Sequence, residues 1–141
     1  MARWANDGMI LVRVVATIAN IAAPTVAEIN AGTNVTNFVT KDGLTVPANQ
    51  NMVPNASLAE TFDSEVVGSF GGAVTLTGMR DNVTDTFWDL VVYGTNTHLV
   101  VRRGVATATA VAAAQKVEVL PIQWHEPLPE QTASNEQGKF T

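Results

Sequence analysis

The chain has 141 residues, 8 Lys+Arg against 13 Asp+Glu for a formal net charge of −5, 46% apolar and 15% charged content, and no cysteine. A chain of this length is expected to form one compact domain that buries roughly two thirds of its unfolded surface without a disulfide. Thiol catalysis, cysteine-based zinc sites and a redox role are excluded, and the acidic balance removes most of the counterion-release energy behind a tight grip on nucleic acid.

The N-terminal Met-Ala-Arg-Trp-Ala-Asn-Asp-Gly stretch is polar. The apolar run that follows, at 9–18, contains Arg13 and ends without a small-residue cleavage site. It fits neither a signal peptide nor a span of about 20 residues, so the expectation is a soluble protein made inside the cell. Within that run Ile10, Val12, Val14, Ala16 and Ile18 alternate with Leu11, Arg13, Val15 and Thr17, a period of two that predicts a strand. At 20–32, Thr25 with Glu28 three residues on predicts a capped turn of helix that Gly32 stops. Val35–Thr40 reads as a second strand, ended by a Lys41-Asp42-Gly43 turn.

Residues 43–60 hold Pro47, Asn49, Asn51, Pro54 and Asn55 among scattered apolar positions, and read as a long loop. Phe62–Val67 and Ala73–Met79 read as a hairpin joined through Gly68–Gly72. A helix is expected over 84–93, with Phe87, Leu90 and Val91 on one face and Gly94 closing it. His98–Arg103 and Gln115–Gln123 are further strands, separated by the small-residue run Val105–Ala114. Pro121, Pro127 and Pro129 lead into a polar tail that reads as an arm outside the core. The sum is about six strands and one helix in a single domain, 1–141, with a long loop at 43–60 and an arm at 124–141. The fold class is mainly β, an antiparallel sandwich or barrel with one flanking helix.

No catalytic constellation emerges from these residues. The chain has two histidines, His98 and His125, and nothing in their spacing favours a metal site with Glu126. Asp81, Asp85 and Asp89 would form an exposed acidic stripe, which suits a helix N-terminus and not a pair of carboxylates across a cleft. Gly68–Gly72 lacks a phosphate-binding Lys-Ser/Thr and reads as a turn, and there is no Gly-x-Ser-x-Gly elbow. Arg102 and Arg103, on opposite faces of a strand, read as surface or interface ion-pairing groups. The sequons at Asn34, Asn55 and Asn82 matter only in a secreted protein. No cofactor, metal or enzymatic activity is expected. Charged content well below the about 25% usual for soluble domains suggests a surface covered in part by copies of the same chain.

The order of several segments carries a resemblance. These are Ile21-Ala-Ala-Pro-Thr-Val-Ala-Glu-Ile-Asn-Ala-Gly-Thr33 after the first strand, Val35–Gly43, Leu76-Thr-Gly-Met-Arg80 leading into Thr86-Phe-Trp-Asp-Leu90, Leu99-Val-Val-Arg-Arg-Gly104, and the closing Asn135-Glu-Gln-Gly-Lys-Phe140. Over nearly its whole length the chain resembles the major tail proteins, or tail tube proteins, of long-tailed siphophages that infect actinobacteria. The resemblance implies a ring-forming β-sandwich with a flanking helix. Its hexameric rings would stack into a hollow tube in the virion tail, made in the host cytoplasm, through which DNA passes at ejection. It also implies a tape measure protein, a tail terminator and distal tail or baseplate proteins as partners, and no membrane binding.

On that expectation the loop 43–60 and the arm 124–141 are the segments that meet neighbouring subunits. Val46, Met52, Val53, Leu58, Trp124, Leu128 and Phe140 are the candidate contacts, and Asp63, Glu65 and Glu118 the candidate acids of a lumen that repels phosphate. Deleting 45–58 is expected to leave a folded subunit that cannot stack. Two other readings remain open at this stage. One is a different phage ring or decoration protein, such as a tail terminator or capsid-surface protein. The other is a carbohydrate- or peptide-binding sandwich with Trp4, Trp88 and Trp124 as its platform.

Overall fold

The computed structural model of the chain describes residues 3, 5–47, 49–59, 61–62, 64–131 and 134–141. Strands take up 37% and helices 8% of it, all pairings are antiparallel, and among the described residues no barrel closes. The elements in order are β1 (Ile10–Val15), α1 (Val26–Ala31), β2 (Thr33–Asn34), β3 (Val39–Thr45), β4 (Asn49–Pro54), β5 (Glu65–Gly71), β6 (Thr75–Met79), α2 (Thr86–Leu90), β7 (Asn96–Arg103), β8 (Glu118–Gln123) and β9 (Lys139–Phe140). They form a four-stranded sheet β2-β1-β7-β8, a three-stranded sheet β3-β6-β9, and a separate two-stranded ribbon β4-β5.

The four-stranded sheet is covered on both faces, which is why its two central strands are apolar on both. β1 and β7 pair from Ile10↔Arg103 to Val15↔His98. Val12, Val14, Leu99 and Val101 point to one side and join Leu76, Phe87 and Phe140 in the core of the sandwich. Val15 and Val100 point to the other side and pack with Ile18 and Ile29, which lie along or beside α1. The alternating run ends at Val15 and not at residue 18, so Ile18 turns to the α1 side and leaves the face of Val12 and Val14. α1 carries the expected capping box: Glu28 N donates to Thr25 Oγ1 at 3.2 Å while Thr25 N donates to Glu28 Oε2 at 2.8 Å.

Several expectations are corrected. The strand foreseen at Val35–Thr40 is replaced by a turn, with Phe38 N donating to Val35 O at 2.9 Å, and β3 starts only at Val39. The foreseen turn at Lys41–Gly43 lies inside β3, where the register against β6 shifts between Val39↔Gly78 and Leu44↔Leu76. Gly43 is needed there, because a Cβ would stand 2.6 Å from Thr77 O. Phe62–Val67 and Ala73–Met79 do not form a hairpin with each other: β5 pairs with β4 and β6 with β3. Residues 68–71 therefore continue a strand where a turn was expected. The helix of 84–93 is shorter, ending at Leu90, and a second short helix, α1, accompanies it. Gly94, at φ +78°, serves the turn into β7, its N–H donating to Trp124 O at 2.8 Å.

The largest correction concerns the tail. Residues 128–130 and 139–141 pair antiparallel, with Leu128 N to Thr141 O at 2.9 Å and Glu130 N to Lys139 O at 3.0 Å, and β9 adds to the edge of β6. Phe140 is 2% exposed and lies at the centre of an aromatic cluster. Its ring is 5.1 Å from Phe87 and 5.1 Å from Trp88, and Trp124 meets Phe87 edge-on at 6.5 Å. Gly78 makes room for this cluster, since a Cβ would come within 2.6 Å of the Phe140 ring. The arm thus closes the core with its last aromatic residue.

Candidate assembly surface

The ribbon is an outgrowth of the sandwich. Thr45 faces Thr75 in the sheet, and four residues further along each strand Asn49 faces Gly71, so the same register holds on both sides of the break at 46–47. The break follows from chemistry: Pro47 has no N–H to give to a ladder, and Gly72 lies so close that a Cβ would be 2.8 Å from Pro47 O. Beyond it Met52 faces Val67 and Val53 faces Val66. All four side chains are 46–66% exposed, and every residue of β4 is exposed. Adjacent pairs point to opposite faces of a ribbon, so both faces of this one are apolar and uncovered.

At the root of the ribbon a groove of about 770 Å³ runs between β8 and the end of the three-stranded sheet. Leu76, Phe87, Val91, Leu120, Ile122 and Trp124 are among its lining residues. β8 is the border strand of its sheet and carries Pro121, a residue tolerated at such a border.

The candidate contacts fall into three groups. Val46, Trp124, Leu128 and Phe140 all line the groove, but the 2% exposure of Phe140 makes it a core residue of its own subunit. Met52 and Val53 lie on the ribbon, and Leu58 is fully exposed in the connection beyond it. The loop expected at 43–60 therefore contains the end of β3 and all of β4. Sequence reasoning missed Val66 and Val67 on the ribbon's second strand, and Val74, Leu120 and Ile122 in the groove. The Val66-Val67 doublet was the available signal.

Among the acids, Asp63 lies outside the described residues. Glu65 is exposed at the end of the ribbon away from the sandwich. Glu118 accepts from Arg103 Nε at 3.1 Å, so its charge is compensated within the chain. Arg103 thus makes the expected surface ion pair. Arg102 does not: it is 1% exposed and its guanidinium donates to Thr109 O at 2.9 Å, Ala106 O at 3.0 Å and Gln115 Oε1 at 3.0 Å. It pins the small-residue loop after β7 onto the sheet. Burial, followed by the charge of Arg13, holds its pKa below the ordinary arginine value.

The remaining chemistry-bearing residues do structural work. Asp85 pairs with Arg80, whose guanidinium carbon stacks 3.8 Å from the centre of the Trp88 ring. Asp81 Oδ1 accepts from Val83 N at 2.8 Å, so two acids of the expected stripe make local turn and pairing contacts, while Asp89 is exposed on α2. Asn34 Oδ1 likewise accepts from Thr36 N at 3.0 Å. Trp88 and Trp124 pack against the core instead of forming a platform, and Trp4 lies outside the described residues. Among the described residues, no group of three His, Asp or Glu side chains is arranged to hold a metal ion, and no helix is long and apolar enough to cross a membrane.

The sequence model of one family, described as phage tail tube protein, matches residues 1–141. The chain belongs to the phage tail tube protein family. Comparison with curated proteins and with solved structures found no match. Family membership makes the chain a structural protein of the virion tail that self-associates into a tube.

Proposed function

We propose that this chain is the repeating subunit of a siphophage tail tube, forming hexameric rings that stack into a hollow tube through which DNA passes at ejection. In this reading the subunit has no catalytic activity, and its tail belongs to a phage of an actinobacterial host. It is synthesised in the host cytoplasm, where a tape measure protein, a tail terminator and distal tail proteins set the length and ends of the tube. The observation that carries the reading is the ribbon, whose apolar residues have no cover within their own subunit and lie on a chain of the tail tube family. Met52, Val53 and Leu58 with the groove-lining Val46, Trp124 and Leu128 supply subunit contacts. A net charge of −5, with Glu65 at the ribbon's far end, favours a bore that repels phosphate and lets DNA slide.

Negative-stain microscopy of the purified protein at increasing concentration tests this. Rings with six-fold averages and hollow tubes are expected. A monodisperse monomer at all concentrations would sink the proposal, and a different rotational symmetry would sink its hexameric part.

A further inference from the structure

We propose that the groove between β8 and the three-stranded sheet is the receptor for the β4-β5 ribbon of a second copy, so that each subunit carries both halves of one head-to-tail joint. The inference deepens the tail tube reading and rests on it for self-association. Its content is which two surfaces meet.

Three observations identify the occupant. First, the ribbon cannot fill the groove of its own subunit. Val46, Pro47 and Gly71–Thr75 form both the root of the ribbon and one rim of the groove, and the register of Thr45↔Thr75 continues into Asn49↔Gly71 and Gln50↔Phe70, which carries the ribbon outward from the sheet. The six residues of β4 alone reach about 20 Å away at 3.2–3.4 Å per residue.

Second, the two surfaces match in chemistry. The ribbon strands carry one ionisable side chain, Glu65, and the groove lining carries two, His125 and Glu126, both exposed. The outer half of the ribbon presents Met52, Val53, Val66 and Val67 beyond a polar root of Asn49, Gln50, Asn51 and Ser69, and the groove presents Leu120, Ile122, Trp124 and Leu128.

Third, the groove offers what an extended chain can use. β8 is a border strand, and Trp124 Nε1 is buried without a hydrogen-bond partner. A strand laid in the groove brings backbone carbonyls that an indole N–H can donate to. Because donor and receptor are different surfaces of one chain, the contact is heterologous and propagates from copy to copy.

Since the chain has no cysteine, designed disulfides report the contact cleanly. Two double variants sample the two faces of the ribbon: Met52→Cys with Leu128→Cys, and Val53→Cys with Leu128→Cys. After mild oxidation of the assembled protein, at least one is expected to run as a denaturant-resistant ladder of dimer, trimer and higher multiples, while each single variant stops at dimer. Leu128→Asp, at a position 65% exposed, is expected to keep the melting behaviour of the parent and to raise the concentration needed for assembly about tenfold or more. Tubes that form without a ladder from either double variant, or that assemble normally with Leu128→Asp, overturn the proposed joint and leave the tube reading standing. Failure of the parent protein to assemble overturns both.

Discussion

The sandwich and the ribbon use the same pairing chemistry and differ in what lies on top of it. In the sandwich, Val12 faces Val101 and Val14 faces Leu99 across an antiparallel ladder, and all four are 0–3% exposed because a second sheet and α2 cover them. On the ribbon, Met52 faces Val67 and Val53 faces Val66 across an antiparallel ladder whose register shifts once, between Gln50 and Met52, and all four are 46–66% exposed. A two-stranded hairpin is marginal on its own in water, so the ribbon draws its order from the sheet it continues and from whatever covers it. Completing the burial of four such side chains contributes on the order of 4 kcal/mol at about 2 kcal/mol for each full burial. That is no more than the about 4–15 kcal/mol that association costs in lost freedom, so the ribbon alone does not hold two subunits together. The groove walls and contacts around the ring must supply the rest.

The comparison breaks most sharply if the ribbon is removed. Val46 and Val74 come next to each other in the shared register, so replacing residues 47–73 with Asn-Gly closes β3 and β6 through a two-residue hairpin turn. The subunit is expected to melt cooperatively, close to the parent, and to form no tubes at any concentration. Sedimentation with microscopy measures the second outcome and calorimetry the first. Loss of cooperative melting would mean that the sandwich depends on the ribbon, and normal tubes would mean that the ribbon is not the joint. This variant is cleaner than deletion of 45–58, which removes one strand of a pair and leaves the other without a partner.

A smaller effect, confined to the other half of the comparison, comes from Phe140→Ala. The ring is 2% exposed and meets Phe87 and Trp88, so its loss leaves a cavity that costs about 3–5 kcal/mol. Chemical denaturation of the monomer is expected to show that loss. A change below about 1 kcal/mol would place Phe140 outside the core and return it to the surface contacts.

The parts of this fold legible in the sequence are those where covering and pattern agree. β1 and β7 announce themselves because burial forces apolar residues onto alternate or successive positions, and Thr25 with Glu28 announces α1 because a capping box needs those two side chains at that spacing. The ribbon was not legible. With both faces exposed in the subunit, Asn49-Gln-Asn-Met-Val-Pro54 has no reason to alternate, and prolines and asparagines there read as loop. Gly68, Gly71 and Gly72 read as a turn, but the first two lie within β5 and Gly72 lies against Pro47. The tail misled for a related reason: one aromatic residue, Phe140, anchors a segment whose other positions are polar. The groove could not be found by periodicity, because its lining comes from segments spread between Val46 and Thr141. Of the candidate contacts, the tertiary fold gathers Val46, Trp124 and Leu128 at one groove and sends Phe140 inward.

The smallest effect expected belongs to α1, which covers the outer face of the four-stranded sheet. The Glu28 carboxylate accepts from Ala19 N at 2.9 Å and from both the backbone N–H and the hydroxyl of Thr25. These bonds, that from Ala19 foremost, hold its pKa below the ordinary carboxylate value. A group whose pKa is depressed by folding contributes its stability in full above the unfolded value, and loses it as pH falls through the folded one. The stability of the parent is therefore expected to decline on the acid side more steeply than that of Glu28→Gln, while the two curves run parallel at neutral pH and above. Glu28→Gln keeps one acceptor oxygen for the cap, so its neutral-pH deficit reports the charge and not the loss of the helix. Identical slopes for the two proteins across the acid range would show that Glu28 holds residues 19–25 no more tightly than a neutral acceptor does, and that the cover over this face rests on the apolar packing of Ile18 and Ile29 with Val111 and Val117.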